Sequence, residues 1–387
     1  MTSELLNFAA RLREYIASSI PVGDDAKRRT SISDLDDEPP HGDRPTAEFN
    51  FLALELFALQ FENNSVYRKI CEARGVTPLT MNHWTQIPAV PTTAFKELEL
   101  TCLSPAERTH VFHSSGTTGQ QPSRHFHNAE SLAVYEASLG PWLAKNLRLV
   151  NDDLRFLSLT PPSAQVPHSS LVHMFDFARQ KLGAEVGAFV GRVGADGTWM
   201  VDFDAARAAL TLNDSRPLLV LGTAFEFVHL LEEMAAKNTR FQLPPGSRVM
   251  ETGGYKGRSR ALPKAELHAL ITTRLGVPAS HIICEYGMSE LSSQAYDSEL
   301  RRAEGGGRNE NRVFHFPPWA HVQIISPETG REVREGETGL LRVFDLANVF
   351  SVLAIQTEDL AVRCGDGFEL IGRAQLAEPR GCSLMAV

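Results

Sequence analysis

The sequence predicts an α/β fold in which a parallel sheet threaded by helices is followed by a small antiparallel β element. Three observations predict it. Between residues 150 and 290, short apolar runs alternate with longer amphipathic stretches, the order in which a parallel sheet is built through crossover helices. Beyond the Gly305-Gly306-Gly307 run, apolar stretches follow one another directly, separated only by turn residues. The chain has 387 residues, 43% hydrophobic and 22% charged, which lies inside the globular range and excludes fibres and a wholly disordered chain. At roughly 100–200 residues per domain, such a length allows about two to three domains or one large core with additions.

Residues 3–19 place Leu5, Leu6, Phe8, Ala9, Leu12, Tyr15 and Ile16 three and four apart, which predicts an amphipathic helix with one buried stripe. Between Pro21 and Pro45, Lys27, Arg28 and Arg29 give way to Asp34, Asp36, Asp37 and Glu38, a charged loop rather than a packed element. A second long helix is expected over 47–73, weakened at Asn63-Asn64, and the two helices are expected to cover a sheet. Segments 154–159, 218–222, 249–251 and 282–286 read as buried strands, with helices over 225–236 and 264–275 between them. Strand-like pieces at 322–326, 339–344 and 368–371 are separated by Glu328-Thr329-Gly330 and Gly365-Asp366-Gly367. The expected division is a helical segment over 1–80 packed on the core, an α/β core over 81–310, and a β-rich element with a mobile tail over 311–387.

Charge narrows the partners. Thirty-eight Lys and Arg against 47 Asp and Glu leave a formal charge of −9, so the chain lacks the positive field that holds a nucleic-acid backbone, and no nucleic-acid partner is expected. The five cysteines, Cys71, Cys102, Cys284, Cys364 and Cys382, are scattered and form no CxxC spacing, which argues for reduced thiols and against a disulfide framework or structural zinc. Glu4, Arg11, Arg13 and Glu14 interrupt any apolar run that could act as a signal segment, and no stretch approaches the ~18 apolar residues that span a bilayer. A cytoplasmic protein without an integral membrane segment is expected.

The densest local signal is Ser114-Ser115-Gly116-Thr117-Thr118-Gly119. Small residues let backbone N–H groups close around phosphate oxygens, and the hydroxyls supply further donors or a metal contact. The loop lacks the Gly-Lys-Ser/Thr ending of a P-loop, and taken alone it also reads as a serine-rich turn. Its company comes in Glu251-Thr252-Gly253-Gly254-Tyr255-Lys256-Gly257, Glu285-Tyr286-Gly287-Met288-Ser289-Glu290, Thr357-Glu358-Asp359-Leu360 and Gly372-Arg373. Adenylating a carboxylate brings two anions together and needs oriented N–H donors, Mg²⁺ and a carboxylate such as Glu290 to hold that metal. The base needs a flat face, which Tyr286 offers. Taken singly, Asp359 also reads as a turn cap and Tyr286 as a core residue.

In order and type these segments resemble the nucleotide-site motifs of the adenylate-forming superfamily, which includes acyl-CoA ligases and firefly luciferase. The resemblance implies that Ser114, Ser115, Gly116, Thr117, Thr118 and Gly119 hold the ATP phosphates, with Gly253 and Gly254 nearby. It implies that Tyr286 and Gly287 meet the adenine, Glu290 holds magnesium and Asp359 holds the ribose; Ser289 replaces the usual Thr and keeps the hydroxyl. Those stretches, with Asp345-Leu346-Ala347-Asn348 and Arg380-Gly381-Cys382-Ser383-Leu384, resemble the LuxE-like acyl-protein synthetases from about residue 85 to the end. The implied fold is the large domain of an adenylate former, without the mobile C-terminal domain whose lysine serves the ligases. The missing cation is then sought among Lys256, ranked first beside the Gly-Gly turn, Arg124, Arg258 and Arg373; Lys256 also reads as a solvated surface lysine.

In LuxE-like proteins a cysteine near the C-terminus receives the acyl group, and Cys382 is the matching residue. A thiolate attacks an acyl-adenylate readily and its thioester stays reactive, although a small apolar residue docking the tail is the plainer reading. His168, Gly222 and Thr223 fall where adenylate formers line the carboxylate pocket. His110, His113, His125 and His127 flank the loop and read as its neighbours or as strand residues, not as a zinc site. The expected activity is ATP-dependent conversion of a carboxylic, fatty acid to acyl-AMP, then transfer to Cys382 and on to an acceptor protein such as a reductase. The alternatives are direct transfer to CoA or a carrier thiol, or a non-catalytic acyl-binding regulatory partner.

Overall fold

A computed structural model describes residues 2–20, 47–114, 121–149, 153–181, 188–253, 262–297 and 312–374. Its strands, in chain order, are β1 (Val90–Pro91), β2 (His110–His113), β3 (Arg124–His127), β4 (Arg155–Ser158), β5 (Ala188–Phe189), β6 (Gly191–Val193), β7 (Trp199–Val201) and β8 (Leu218–Thr223). There follow β9 (Arg248–Thr252), β10 (Ile282–Tyr286), β11 (Ala295–Tyr296), β12 (Ala320–Ile325), β13 (Thr338–Asp345), β14 (Ala354–Cys364) and β15 (Gly367–Arg373).

The central sheet has the order β11-β10-β9-β8-β4-β5, parallel throughout except for the antiparallel edge strand β11. The four strands read from the sequence are its middle, and the Ala224–Ala236 and Lys264–Leu275 helices are the crossovers between β8, β9 and β10. Such strands are covered on both faces, which is why they read as continuous apolar runs without alternation. Gly276, at φ +69°, ends the second crossover helix in the left-handed conformation that glycine adopts without a steric penalty. The β-rich part is a second sheet, β1-β14-β13-β12, with β15 antiparallel on β14 and β1 parallel to it.

The Ser3–Ser19 helix matches its expected span, and Leu5, Phe8, Leu12 and Ile16 form its buried stripe. It packs against another helix, Ala129–Asn146, rather than directly on a sheet. The helix expected over 47–73 is divided into Ala47–Asn63 and Ser65–Ala73, because Asn64 caps the second piece by accepting a 3.0 Å hydrogen bond from the Tyr67 N–H. One apolar cluster joins these helices to both sheets, from Leu5 to Phe368; a second fills the far face of the central sheet under the crossover helices. Among the described residues no helix is long and apolar enough to cross a membrane.

Candidate active site

The carboxyl ends of β8, β9 and β10 open toward one edge of the central sheet, where the ligands of open α/β sheets bind. Three further elements converge there: the β2–β3 hairpin, the 287–294 segment, and the β14–β15 pair.

The hairpin pairs His110 with His127, Val111 with Phe126, Phe112 with His125 and His113 with Arg124. Its neck is closed by the Ser114 N–H to the Ser123 carbonyl at 3.3 Å and the Ser123 N–H to Ser114 Oγ at 3.0 Å. The Ser/Thr/Gly loop is therefore carried on a tight two-stranded stem. Ser115, Gly116, Thr117, Thr118 and Gly119 themselves lie outside the described residues, as do Gly254, Lys256, Arg258 and Cys382.

Glu290 is buried at this neck. Its Oε1 accepts from Ser123 Oγ at 2.6 Å and its Oε2 from Ser289 Oγ at 2.8 Å. The His125 ring donates from Nδ1 to the Ser289 carbonyl at 2.8 Å, and burial drops the His125 pKa to about 4, so it stays neutral at physiological pH. A hard-oxygen carboxylate bracketed by hydroxyls at the neck of the hairpin is a donor set that suits Mg²⁺. The sequence placed His125 beside the loop but gave neither it nor Ser123 its partner, because they meet Ser289 and Glu290 from more than 160 residues away.

Tyr286, the last residue of β10, donates its hydroxyl to Asp359 Oδ2 at 2.8 Å, which joins the central sheet to β14. The Tyr286 ring is 7% exposed and stands edge-on to Phe368 at 5.4 Å, with Phe314 and Phe316 beside it, so its faces are largely covered. Burial raises the Asp359 carboxyl, while the Tyr286 hydroxyl and Arg373 pull it down. Arg373 is the cross-strand neighbour of Asp359, with Nε 3.8 Å from Oδ1 and a side chain that is 79% exposed.

Across the strand ends, Thr223, Thr252 and Glu285 are in register as neighbours in one row. The Thr223 hydroxyl caps the Ala224–Ala236 helix in a reciprocal arrangement with Glu226. The Thr252 hydroxyl donates to Glu285, whose carboxyl burial raises to about 7, with Thr252 opposing and the Glu251 charge adding. Gly253 turns away from β9 at φ +68°. A Cβ on Gly287 would fall 2.4 Å from Glu285 Oε1, so a side chain there would displace the buried Glu285 carboxyl group. Gly222 packs on Leu159. His168 is exposed and lies against the hairpin: its Nδ1 is 3.1 Å from the Val111 carbonyl, its own carbonyl accepts from the His113 N–H at 2.9 Å, and its ring stacks on His113 at 4.7 Å.

On the helix-covered face of β9 and β10, Glu251, His268 and Cys284 bring their ligand atoms within 4.8 Å of one another. Lys264 Nζ, 3.3 Å from Glu251 Oε1, and Arg312 Nη1, 2.8 Å from Asp297 Oδ2, supply the positive charge of this cluster. Burial opposes ionisation of Glu251, yet Lys264 and the hydrogen bonds from His268 and Cys284 hold its carboxyl at about 2. We read the cluster as an internal ion-pair network behind the strand ends.

The profile of a family described as acyl-protein synthetase, LuxE, matches residues 42–386. A long-chain-fatty-acid–luciferin-component ligase of Aliivibrio fischeri is 23% identical over 351 residues, 86% of this chain and 86% of its own. The protein of the same description from Vibrio harveyi is 22% identical over 345 residues, 85% and 84%. Among solved structures, an open conformation of 2-hydroxyisobutyryl-CoA ligase in complex with 2-HIB-AMP and CoA matches with a TM-score of 0.62 at 15% identity, over 86% of this chain and 76% of that one. At that identity the likeness is one of fold, and the fold is that of the adenylate-forming ligases.

Proposed function

Because this chain belongs to the acyl-protein synthetase (LuxE) family, we propose that it activates a long-chain fatty acid with ATP and carries the acyl group on Cys382 to an acceptor protein. The fatty acid is suggested by the description of the two relatives, and an acceptor such as a reductase by the chemistry of a thioester.

The observation that carries the reading is that two carboxylates flank the carboxyl end of β10: Glu290 at the neck of the Ser/Thr/Gly loop, and Asp359, held by Tyr286, on the second sheet. In this reading the loop's N–H groups and hydroxyls, with Ser114 at its base, hold the ATP phosphates. Glu290 holds Mg²⁺, which when bound neutralises charge on the phosphates. Asp359 takes the ribose hydroxyls, and Tyr286 orients Asp359; with its ring faces covered, Tyr286 bounds the base rather than stacking on it. Arg373, tethered loosely and largely exposed, has the freedom to move from Asp359 to a phosphate; Lys256 is the other candidate cation.

An oxygen of the fatty acid's carboxylate attacks the α-phosphorus, and pyrophosphate leaves with the electron pair of the broken P–O bond. The Cys382 thiolate then attacks the acyl carbonyl, forming the C–S bond as AMP departs; the thiol proton goes to solvent. Glu290→Gln tests the first half. ATP–pyrophosphate exchange should require both Mg²⁺ and an acid, and the variant should lose more than the roughly 10–100-fold typical of a residue standing behind a metal ligand. Undiminished exchange in Glu290→Gln removes that residue from the site.

A further inference from the structure

Behind Glu290 lies a buried polar network that the reaction above does not use, formed in part by the two ends of the Asp345-Leu346-Ala347-Asn348 stretch. Asp345, the last residue of β13, is 0% exposed. Its Oδ2 accepts from the Ser292 N–H at 2.9 Å and the Ser293 N–H at 2.8 Å, and its Oδ1 from Ser293 Oγ at 2.7 Å and the Ala347 N–H at 3.0 Å. Asn348, 1% exposed, donates from Nδ2 to the Glu290 carbonyl at 3.0 Å and to the Val352 carbonyl at 3.2 Å, while its Oδ1 accepts from Ser292 Oγ at 2.7 Å. Both amide protons of Asn348 are thus committed. Gln60 braces this arrangement from the Ala47–Asn63 helix, donating to the Asn348 carbonyl at 2.8 Å and accepting from the Leu353 N–H at 2.9 Å.

We propose that Asn348 and Asp345 are positioning residues for the Glu290 carboxylate: together they fix the backbone from Glu290 to Ser293 from behind, so that the carboxylate stands at the loop neck before a ligand arrives. The inference rests on the reading of Glu290 as the metal-holding carboxylate. Its physical basis is that a ligand whose backbone is already fixed binds without first being ordered, and that partners behind a ligand set metal affinity nearly as strongly as the ligand itself. The front of Glu290 is held by the hydroxyls of Ser123 and Ser289, the peptide before it by His125, and its own carbonyl by the Asn348 amide.

The test is a Mg²⁺ titration of ATP–pyrophosphate exchange at saturating ATP and acid, with melting temperatures measured alongside. Asn348→Ala should raise the half-saturating Mg²⁺ by about 10–100-fold, with exchange recovered at high Mg²⁺. Ser292→Ala, which removes one bond of the network and leaves the backbone intact, should shift it in the same direction by less. Ser351→Ala is the comparator, because its hydroxyl belongs to the same buried segment but donates to the Leu100 carbonyl, away from Glu290. It should lower the melting temperature without moving the Mg²⁺ requirement. A folded Asn348→Ala with the wild-type requirement overturns the proposal, and so does an equal shift in Ser351→Ala. Should Asn348→Ala not fold, an unchanged requirement in Ser292→Ala overturns it instead. Glu290→Gln in the same series separates the two levels: if that variant keeps wild-type exchange, the reading of Glu290 fails, whereas its loss beside a normal Asn348→Ala refutes only the positioning role.

Discussion

Tyr286 and Asp359 are 73 positions apart in the chain and 2.8 Å apart in space, and their contact decides what each is worth. Asp359→Ala removes an acceptor proposed to hold the ribose, and ATP affinity should fall by about 1.5–3 kcal/mol, the range for hydrogen bonds to a charged group, with the fold retained. Tyr286→Phe removes only the orienting hydroxyl, so calorimetric titration should show a loss of about 1 kcal/mol. Equal losses in the two variants would contradict the division of roles. Glu285 offers a pH test. Its carboxyl is raised from the ordinary 4.5 to about 7 in the fold, so between those values the native state keeps a proton that the unfolded chain has released. Its contribution is complete below about pH 4.5 and is lost as pH rises through 7. Glu285→Gln has no such titration, and Glu226, raised to about 7 in the same way, is common to both proteins. The melting temperature of Glu285→Gln should therefore gain on the wild type between pH 5 and pH 8; parallel curves would contradict the buried protonated state. At this scale the sequence singled out Glu290, Asp359 and Tyr286 as candidates through their motifs. Asn348 stood in a stretch that carried the resemblance and His125 beside the loop, but neither had an assigned role, and Ser123 and Gln60 carried no signal, because what makes all four matter is a partner far along the chain.

At the scale of elements, the strands that the sequence made legible are those buried on both faces, where apolar runs are uninterrupted. The bounds of β10 and of the Ser3–Ser19 and Lys264–Leu275 helices agree with the sequence to the residue. β14 escaped notice although it carries Asp359. Its residues Glu358 and Asp359 break the apolar pattern, and the strand is specified by pairing with β13 and β15 rather than by its own composition. The β2–β3 hairpin was hidden in the same way: its arms are only four residues each and contain four histidines. The end of β8 shows how an element positions a site. Thr223 both finishes the strand and caps the following helix, so Thr223→Ala should cost about 0.5–2 kcal/mol in urea unfolding. An unchanged midpoint would mean that Glu226, which accepts from the Thr223 N–H, sustains the cap alone.

Across the whole molecule, the candidate site lies where two sheets meet, and the helices hold that junction from outside. Trp319 donates from Nε1 to Ser138 Oγ at 2.7 Å, and the Ser138 hydroxyl lies 2.9 Å from that of Ser293, so the Ala129–Asn146 helix reaches both the second sheet and the Glu290 segment. The Ser3–Ser19 helix backs it with Phe8, which is 0% exposed; Phe8→Ala should cost about 3–5 kcal/mol and loosen the junction it supports. The fold class and its order along the chain were legible because strand and helix periods are local. The closure of one sheet on the other was not, since it depends on contacts such as Tyr286 to Asp359 that have no local signature. The most direct test of the proposed acyl-protein chemistry uses the protein with ATP, Mg²⁺ and a labelled long-chain fatty acid, and follows both pyrophosphate exchange and label retained on the chain. The account predicts a hydroxylamine-labile thioester on the wild type, and in Cys382→Ser the loss of that label with exchange largely intact, because adenylation precedes the step the thiol performs. An equally labelled Cys382→Ser, or an unlabelled wild type that forms acyl-CoA rapidly when CoA is added, would contradict it.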